Sequence, residues 1–358
     1  MTRAVGRPAV RLGVLLLAVL AVLALAGPAS AHVGGGAAGS DYDGRVTSVS
    51  PEVPGLRVRA LQFGDQLEVV TSGRDVEVPG YSGEPYLRIG PDGVWRNTRS
   101  PATYLNLDAE GRTPLPPQAD PDAPPEWEQV STAATYVWHD HRTHWMSSEL
   151  PPQVRADPTA EHTVIDWTVP MTVDGAPVTV AGRLTWEPPP PGWLVWPLYA
   201  ALALAGVLAG ARARTPRPLG LVLLAGGVAS VVHAAGTPEP AVSVSSWPGA
   251  LAGALLPALV VLAVAVLGWR ASRRGRGVMT GLLAVVVGWL MLVQGIPDVD
   301  ALWTANLLGT TPAAVTRAAV AVLVGLGLGS VMGGVLAVRR FRDPAQPVVA
   351  AAGAPPTT

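Results

Sequence analysis

Two patterns of apolar and polar positions divide the chain. Between about residues 45 and 186, apolar side chains alternate with polar ones over short runs, and Gly, Pro and Asp-Gly pairs interrupt those runs. Side chains of a strand point alternately to its two faces, so this pattern predicts short strands with one buried face. From residue 193 onwards the chain has five continuous apolar stretches instead. Each is near the roughly 20 residues that a helix needs to cross the hydrocarbon core.

The strand region predicts an all-β sandwich, immunoglobulin-like or similar, within residues 32–186. Its clearest turns are two dipeptides between apolar runs, Gly64-Asp65 between residues 55–63 and 66–71, and Asp174-Gly175 between residues 164–169 and 177–186. Residues 109–126 are acidic and rich in proline. We therefore expect residues 101–130 to lie outside the sheets as a long loop.

The first 31 residues have the pattern of a signal peptide. Three arginines precede an apolar stretch over residues 13–26, and Pro28-Ala-Ser-Ala31 has the small residues of a cleavage site. Cleavage there would leave His32 at the mature N-terminus. The remaining predicted boundaries are a proline-rich stalk at residues 187–192, a membrane domain at residues 193–338 and a disordered cytoplasmic tail at residues 339–358.

The arginines between the apolar stretches predict the orientation of the membrane domain. Loops after the first, third and fifth stretches each carry three or more arginines, whereas those after the second and fourth carry none. Because arginine-rich loops stay in the cytoplasm, this alternation predicts a multi-pass protein of the cell membrane with an extracytoplasmic β-domain and a cytoplasmic C-terminus. The predicted spans are residues 193–211, 218–235, 247–269, 278–295 and 313–338.

Small residues at four-residue spacing mark the faces on which these helices are expected to pack. Glycine without a side chain lets two helix backbones approach closely within a bilayer. Three such pairs occur in the predicted spans, namely Gly206/Gly210, Gly249/Gly253 and Gly329/Gly333.

Composition and charge limit the chemistry of the exported domain. The chain has no cysteine, which excludes disulfides, thiolate zinc sites and blue-copper centres. Residues 32–192 carry 11 Arg against 12 Asp and 10 Glu, a net charge of −11. An acidic domain argues against a nucleic-acid partner and raises the local concentration of cations.

Histidines concentrate in residues 136–146, Tyr-Val-Trp-His-Asp-His-Arg-Thr-His-Trp-Met. If the β-branched and aromatic start of this segment is a strand, His139 and His141 share one of its faces, and His144 joins them only after a bulge or turn. Neutral imidazoles converging in this way bind Cu(II) or Zn(II). The predicted metal ligands are His139, His141, His144 and, through its α-amine and ring, His32, with Asp140, Arg142 and Met146 as possible supporting residues.

Other roles compete with metal binding. The histidines would be structural if Asp140 paired with Arg142 and the imidazoles formed hydrogen bonds within the domain; the protein would then be an envelope scaffold that binds another protein through its proline-rich loop. A three-histidine metal could also activate water for hydrolysis, with Glu149 or Asp140 as the base. The chain contains no Gly-x-Ser-x-Gly, phosphate-loop or His-Glu-x-x-His motif, and this favours a non-enzymatic role with no catalytic residue.

The combination of an exported β-sandwich starting with His32, a histidine cluster and membrane helices resembles bacterial periplasmic copper-resistance proteins and their membrane partners. The resemblance covers the architecture and His32, and the His139–His144 run matches no motif of that family residue by residue. The chain otherwise looks like an exported membrane protein of a high-GC bacterium. The resemblance implies copper handling, and so favours copper over zinc.

Overall fold

The computed structural model describes residues 39–108 and 110–342. The predicted signal peptide and His32 lie outside these residues, as does most of the predicted tail. The described chain divides into two compact units. The first comprises the residues up to Pro197, Val231–Ala258 and Ile296–Val320, and the second comprises Leu198–Ser230, Leu259–Gly295 and the described residues from Ala321.

The N-terminal part is a β-sandwich of two antiparallel sheets, which confirms the predicted fold class. The larger sheet has seven strands in the order β2 (Tyr42–Ser50), β11 (Ala176–Trp186), β10 (His162–Val173), β5 (Val76–Pro79), β6 (Pro85–Gly90), β7 (Gly93–Asn97) and β8 (Trp127–Ser131). The smaller sheet has the order β3 (Leu56–Leu61), β4 (Gln66–Thr71) and β9 (Thr135–His139).

The hydrophobic core lies between the two sheets. Leu67 and Val69 on β4 and Trp138 on β9 pack against the inner face of the larger sheet, where Leu87 and Val169 are fully buried. Burial of each large aliphatic side chain contributes about 1.5–3 kcal/mol. The inward residues follow the alternation of the sequence, so the apolar pattern determines which face of each strand is buried.

The two predicted hairpin turns have different outcomes. Asp174 and Gly175 both have positive φ angles, 49° and 79°, and directly join β10 to β11, as predicted. The other turn is larger, because a 3₁₀ turn at Gln62–Gly64 ends β3 at Leu61. Phe63 has a φ of 60°, a conformation that bulky side chains rarely adopt.

The segment of residues 101–130 corrects one expectation. It contains a short helix, α1 (Ala102–Leu105), and residues 106–126 form no helix or strand where they are described. Its last residues nevertheless form β8, which pairs with β7 at the edge of the larger sheet. Proline and acidic residues therefore predict the loop correctly but not the strand that follows it.

Five helices are long and apolar enough to cross a membrane, close to the predicted spans. A further short helix, α2 (Pro152–Ala156), belongs to the sandwich. The five long helices are α3 (Gly192–Ala211), α4 (Arg217–Ala235), α5 (Trp247–Arg273), α6 (Gly277–Gly295) and α7 (Ala313–Phe341), the last with a π-helical turn at Val322–Leu326.

Glycines bring α7 into close contact with α3. A Cβ at Gly206 would lie 2.6 Å from the carbonyl carbon of Gly329, and Gly210 faces Gly333 in the same way. Two of the three predicted glycine pairs therefore pack on each other. A Cβ at Gly253 would meet no atom within 4 Å in the described part of the chain, so that position is not at a close helix contact.

Within the first compact unit, two connections between membrane helices pack on the sandwich. A two-residue strand β1 (Gly39–Ser40) pairs with β12 (Asn306–Leu307), which precedes α7. Glu68 on β4 is fully buried, pairs with Arg59 at 2.5 Å and accepts a hydrogen bond from the backbone N–H of Val242 at 2.6 Å. Arg59 also pairs with Glu239 at 3.0 Å, which joins the connection after α4 to the smaller sheet.

Candidate metal site in the histidine loop

The histidine cluster lies where β9 ends, and its residues 139–146 form what we call the histidine loop. The strand pairs with β4 up to the His139–Gln66 position. Residues 140–146 contain no strand, because the chain turns directly after His139. Strand alternation therefore does not extend to His141, and the predicted shared face of His139 and His141 is wrong.

A buried carboxylate holds this turn in place. Asp140 is fully buried and accepts hydrogen bonds from the indole N–H of Trp138 at 2.9 Å and from the backbone N–H of Arg142 at 3.1 Å. The Arg142 guanidinium donates to both carboxylate oxygens, at 2.7 and 2.6 Å. The pairing considered in the structural interpretation is thus present. Asp140 and Arg142 shape the loop through these contacts.

Thr143 ties the loop to the turn between β3 and β4. Its buried hydroxyl lies 2.6 Å from the carbonyl oxygen of Gly64 and 2.7 Å from that of Asp140. Gly64 has a φ of 105°, which favours glycine because a Cβ is disfavoured in this region. The contact places the neighbouring His144 beside Asp65.

Both ring nitrogens of His139 already have partners. Its Nδ1 lies 3.2 Å from the backbone carbonyl oxygen of Asp65, which can only accept a hydrogen bond. Its Nε2 lies 3.4 Å from the side-chain nitrogen of Gln66, which donates. Neither nitrogen keeps a lone pair for a metal, and this geometry suits a structural histidine.

His141 has the opposite arrangement. Its Nε2 lies 3.0 Å from the backbone carbonyl oxygen of Asp108, so Nε2 carries the proton and, in the neutral ring, Nδ1 carries the lone pair. The ring stacks on Tyr81 with centroids 5.8 Å apart, and the Tyr81 hydroxyl accepts the backbone N–H of His141 at 3.0 Å. The ring is therefore held on one face and at one nitrogen.

Gly111 packs closely against the edge of the His141 ring that carries Nδ1. The position of a Cβ at Gly111 would lie 3.0 Å from Nδ1 of His141 and 3.2 Å from the methyl carbon of Met146. Gly111 has a φ of 63°, so the backbone as well as the space favours glycine. The His141 ring and the Met146 methyl group therefore both pack around Gly111.

An ordered turn supports the carbonyl that binds His141. The Asp108 side chain accepts hydrogen bonds from the Thr113 hydroxyl and from the backbone N–H groups of Arg112 and Glu110, both at 3.0 Å. These bonds, with that of Thr113 the strongest, lower the pKa of Asp108 to about 2. Hydrogen-bonded ligand supports of this kind hold an imidazole in one tautomer and orientation.

His144 is the buried member of the cluster. The residue is 5% exposed, and its ring centroid lies 5.5 Å from that of His141, with the two ring planes at 88°. It lines a small open cavity of about 120 Å³ together with Asp65 and Trp145. Burial raises the pKa of the Asp65 carboxyl, while charged His144 and His139 would lower it.

The structure thus brings the predicted ligands together only in part. His141, His144 and Met146 are neighbours, whereas His139 is turned to the backbone and Gln66, and His32 lies outside the described residues. In residues 39–108 and 110–342, no group of three or more His, Cys, Asp and Glu side chains is arranged to hold a metal ion.

Both carboxylates considered as the base of a hydrolase already have partners. Asp140 is saturated by its hydrogen bonds, and Glu149 is exposed and pairs with Arg155 at 3.2 Å. Sequence reasoning missed Asp65, Tyr81 and Gly111, which surround the imidazoles from other parts of the chain. Only Asp65 had a local signal, the Gly-Asp dipeptide of the predicted turn.

Comparison with family models, with curated proteins and with solved structures gives no match for this chain.

Proposed function

We propose that this chain is a membrane-anchored metal-binding protein of the cell envelope, whose β-sandwich binds Cu(I) through Nδ1 of His141, the imidazole of His144 and the thioether of Met146. The observation that carries the proposal is the hydrogen bond from His141 to the Asp108 carbonyl. It leaves the lone pair on Nδ1, and such a bond to the outer nitrogen is typical of metal-binding histidines.

The spacing of the two imidazoles supports this assignment. Two rings bound to one ion through metal–nitrogen bonds of about 2.0 Å have centroids roughly 5 to 5.5 Å apart at trigonal or tetrahedral angles. The observed separation of 5.5 Å for His141 and His144 lies at this value. Met146 is 40% exposed, and rotation of its flexible side chain would supply the third ligand.

The ligand types favour copper over zinc. A thioether is a soft ligand that Cu(I) accepts and Zn(II) binds poorly, whereas imidazole suits both metals. The net charge of −11 on residues 32–192 attracts cations to the domain in general. In this proposal the preference for Cu(I) over Zn(II) comes from the thioether of Met146. The attraction of cations in general comes from the negative charge of the whole domain.

We place the β-sandwich outside the cytoplasm and the C-terminus inside it. Connections between successive long helices are alternately rich in arginine and free of it. The two segments that contact the sandwich, residues 239–242 and Asn306–Leu307, belong to the two arginine-free connections. Both observations support a location of these connections and the sandwich on the same side of the membrane. The site would then handle or sense metal at the envelope.

A second candidate is a scaffold that links an envelope partner to the membrane domain. The observation that favours it is the buried Glu68, which joins Arg59 on β3 to the backbone of Val242. A partner that binds the sandwich would act directly on the connection after α4. In this case the histidines only stabilise the loop.

The test is a titration of the full-length protein in detergent with Cu(I), in competition with a chelator of known affinity. We expect one ion per chain for the wild type. His141→Ala and Met146→Leu should each weaken binding at least tenfold, because each removes one of three ligands. His162→Ala is the matched control, since His162 also bonds a backbone carbonyl, that of Asp157, but lies away from the loop.

His139→Ala separates the metal and structural interpretations. It should leave the Cu(I) affinity unchanged and lower the unfolding temperature of the apoprotein, since it removes the bond to Asp65. The absence of saturable binding by the wild type would reject the metal proposal and favour the scaffold. Binding that survives His141→Ala but is lost in His139→Ala or His32→Ala would move the site to those residues.

A further inference from the structure

The outer face of the larger sheet has an aromatic groove that the metal proposal does not use. Trp95 on β7 is 36% exposed, although it belongs to a folded sheet and not to a membrane helix. Trp127 on β8 points to the same face, because it pairs in register with Asn97, two residues after Trp95. The two indoles and the surrounding strands β5 and β6 border an open groove of about 500 Å³.

Polar side chains hold and surround the indoles. The Arg88 guanidinium lies 4.3 Å from the centre of the Trp127 ring and pairs with Glu77 at 3.0 Å. Arg88 is directly opposite Trp95 in the sheet register, so a stripe of Glu77, Arg88 and Trp95 crosses three strands. Asp75 and Asp92 contribute two further carboxylates at the edges of the groove.

We propose that this groove binds an extended, uncharged polysaccharide chain. Trp95 is exposed and Trp127, with Arg88 over its ring, is partly exposed. Indoles on a rigid sheet offer flat apolar surfaces at low conformational cost, and the apolar C–H face of a pyranose ring can stack on them. The carboxylates and the guanidinium provide acceptors and donors for sugar hydroxyls around these surfaces. Stacking planes with hydrogen-bonding groups at their edges match the amphipathic faces of a sugar ring.

Charge selects among the ligands that could stack here. The groove has three carboxylates, Asp75, Glu77 and Asp92, and one guanidinium, Arg88. Its negative balance, on a domain that is acidic as a whole, disfavours anionic glycans and nucleic acids. A chain of β-1,4-linked sugars is extended and flat, and this shape suits two indoles on neighbouring strands.

The test measures binding of cellohexaose and hexa-N-acetylchitohexaose to full-length protein in detergent by calorimetry. We expect saturable binding of at least one of them, which Trp95→Ala and Trp127→Ala each weaken roughly tenfold, as loss of one stacking surface implies. Trp95→Phe should restore part of the affinity. Leu115→Ala removes a comparably exposed apolar side chain outside the groove and should change nothing.

Three results would overturn the proposal. One is the lack of saturable binding of either oligosaccharide by the wild type, and another is binding that both tryptophan variants retain. The third is equal or tighter binding of an anionic glycan such as hyaluronan, or of a proline-rich peptide, with the same dependence on Trp95. The unfolding temperature of Trp95→Ala, expected within about 2 °C of wild type for an exposed position, excludes misfolding as the cause of lost affinity.

Discussion

At the scale of single residues, hydrogen-bond partners decide the role of each histidine. His139 and His141 are only two residues apart. Both ring nitrogens of His139 have hydrogen-bond partners within the protein, whereas His141 has such a partner at Nε2. Asp140 differs again, since its carboxylate is fully used by Trp138 and Arg142. Residue type alone therefore predicts which side chains could bind a metal, and the partners determine which keep a lone pair.

A carboxylate in the β10–β11 turn should make local stability depend on pH. The backbone N–H of Asp75, at 3.0 Å, and Arg74, at 2.9 Å, lower the pKa of Asp174 below its usual value. A lowered folded-state pKa means that this stabilisation is present above about pH 4 and is lost as the pH falls through the folded-state value. The Asp174→Asn variant lacks the carboxylate charge. We therefore expect acid to weaken the hydrogen-exchange protection of its Asp75 amide less than it does in the wild type.

The control variant is Asp174→Gly, which retains the positive φ of 49° but removes both hydrogen bonds. It should lower protection of the Asp75 amide at neutral pH as well as in acid. Equal acid dependence in the wild type and in Asp174→Asn, after correction for intrinsic exchange, would contradict the assigned role of the charge.

At the scale of elements, identical spacing in sequence leads to different packing. Gly206 and Gly210 face Gly329 and Gly333 at backbone contact, whereas a side chain at Gly253 would meet open space in the described chain. The spacing of small residues predicts a helix face that permits close approach. Whether another helix occupies that face is decided by the arrangement of all five.

Gly206→Val should destabilise the contact between α3 and α7. Its Cβ would lie 2.6 Å from a backbone carbon of Gly329, so the helices must separate, at a cost of about 1–3 kcal/mol. The matched control is Gly253→Val, for which we expect a change of less than about 0.5 kcal/mol. Unfolding in mixed micelles measures both, and equal effects of the two variants would contradict the packing.

At the scale of the whole molecule, the first compact unit combines the sandwich with the connections after α4 and α6. The β1–β12 pair and the Glu68–Val242 hydrogen bond join segments more than 170 residues apart in the chain. Apolar stretches and turn signals predict a domain followed by a membrane segment. They do not predict that connections of the membrane helices pack on that domain.

Single cysteines can test the orientation, because the chain has no native cysteine. Ser243→Cys lies in the connection after α4, and Thr215→Cys lies between α3 and α4. We expect a membrane-impermeant thiol reagent to label Ser243→Cys in intact cells and Thr215→Cys only after permeabilisation. Labelling of both, or the reverse pattern, in intact cells would refute the proposed orientation; the cysteine-free wild type gives the background.

Several features of this protein can be recognised in the chain alone: the β-domain, the five helices that are long and apolar enough to cross a membrane, the buried faces of most strands and the Asp174-Gly175 turn. Each depends on local periodicity or on the backbone freedom of one or two residues, and both can be recognised in a short stretch of chain.

The geometry of the candidate site, by contrast, depends on contacts that form only in the folded chain. The end of β9 at His139 depends on a buried carboxylate, and the tautomer of His141 depends on the carbonyl of Asp108, 33 residues earlier. The same holds for β8 and for the connections that pack on the sandwich. Hydrogen bonds between distant segments have no period in the sequence, so the pattern located the imidazoles but could not show which ring nitrogens remain available for a metal.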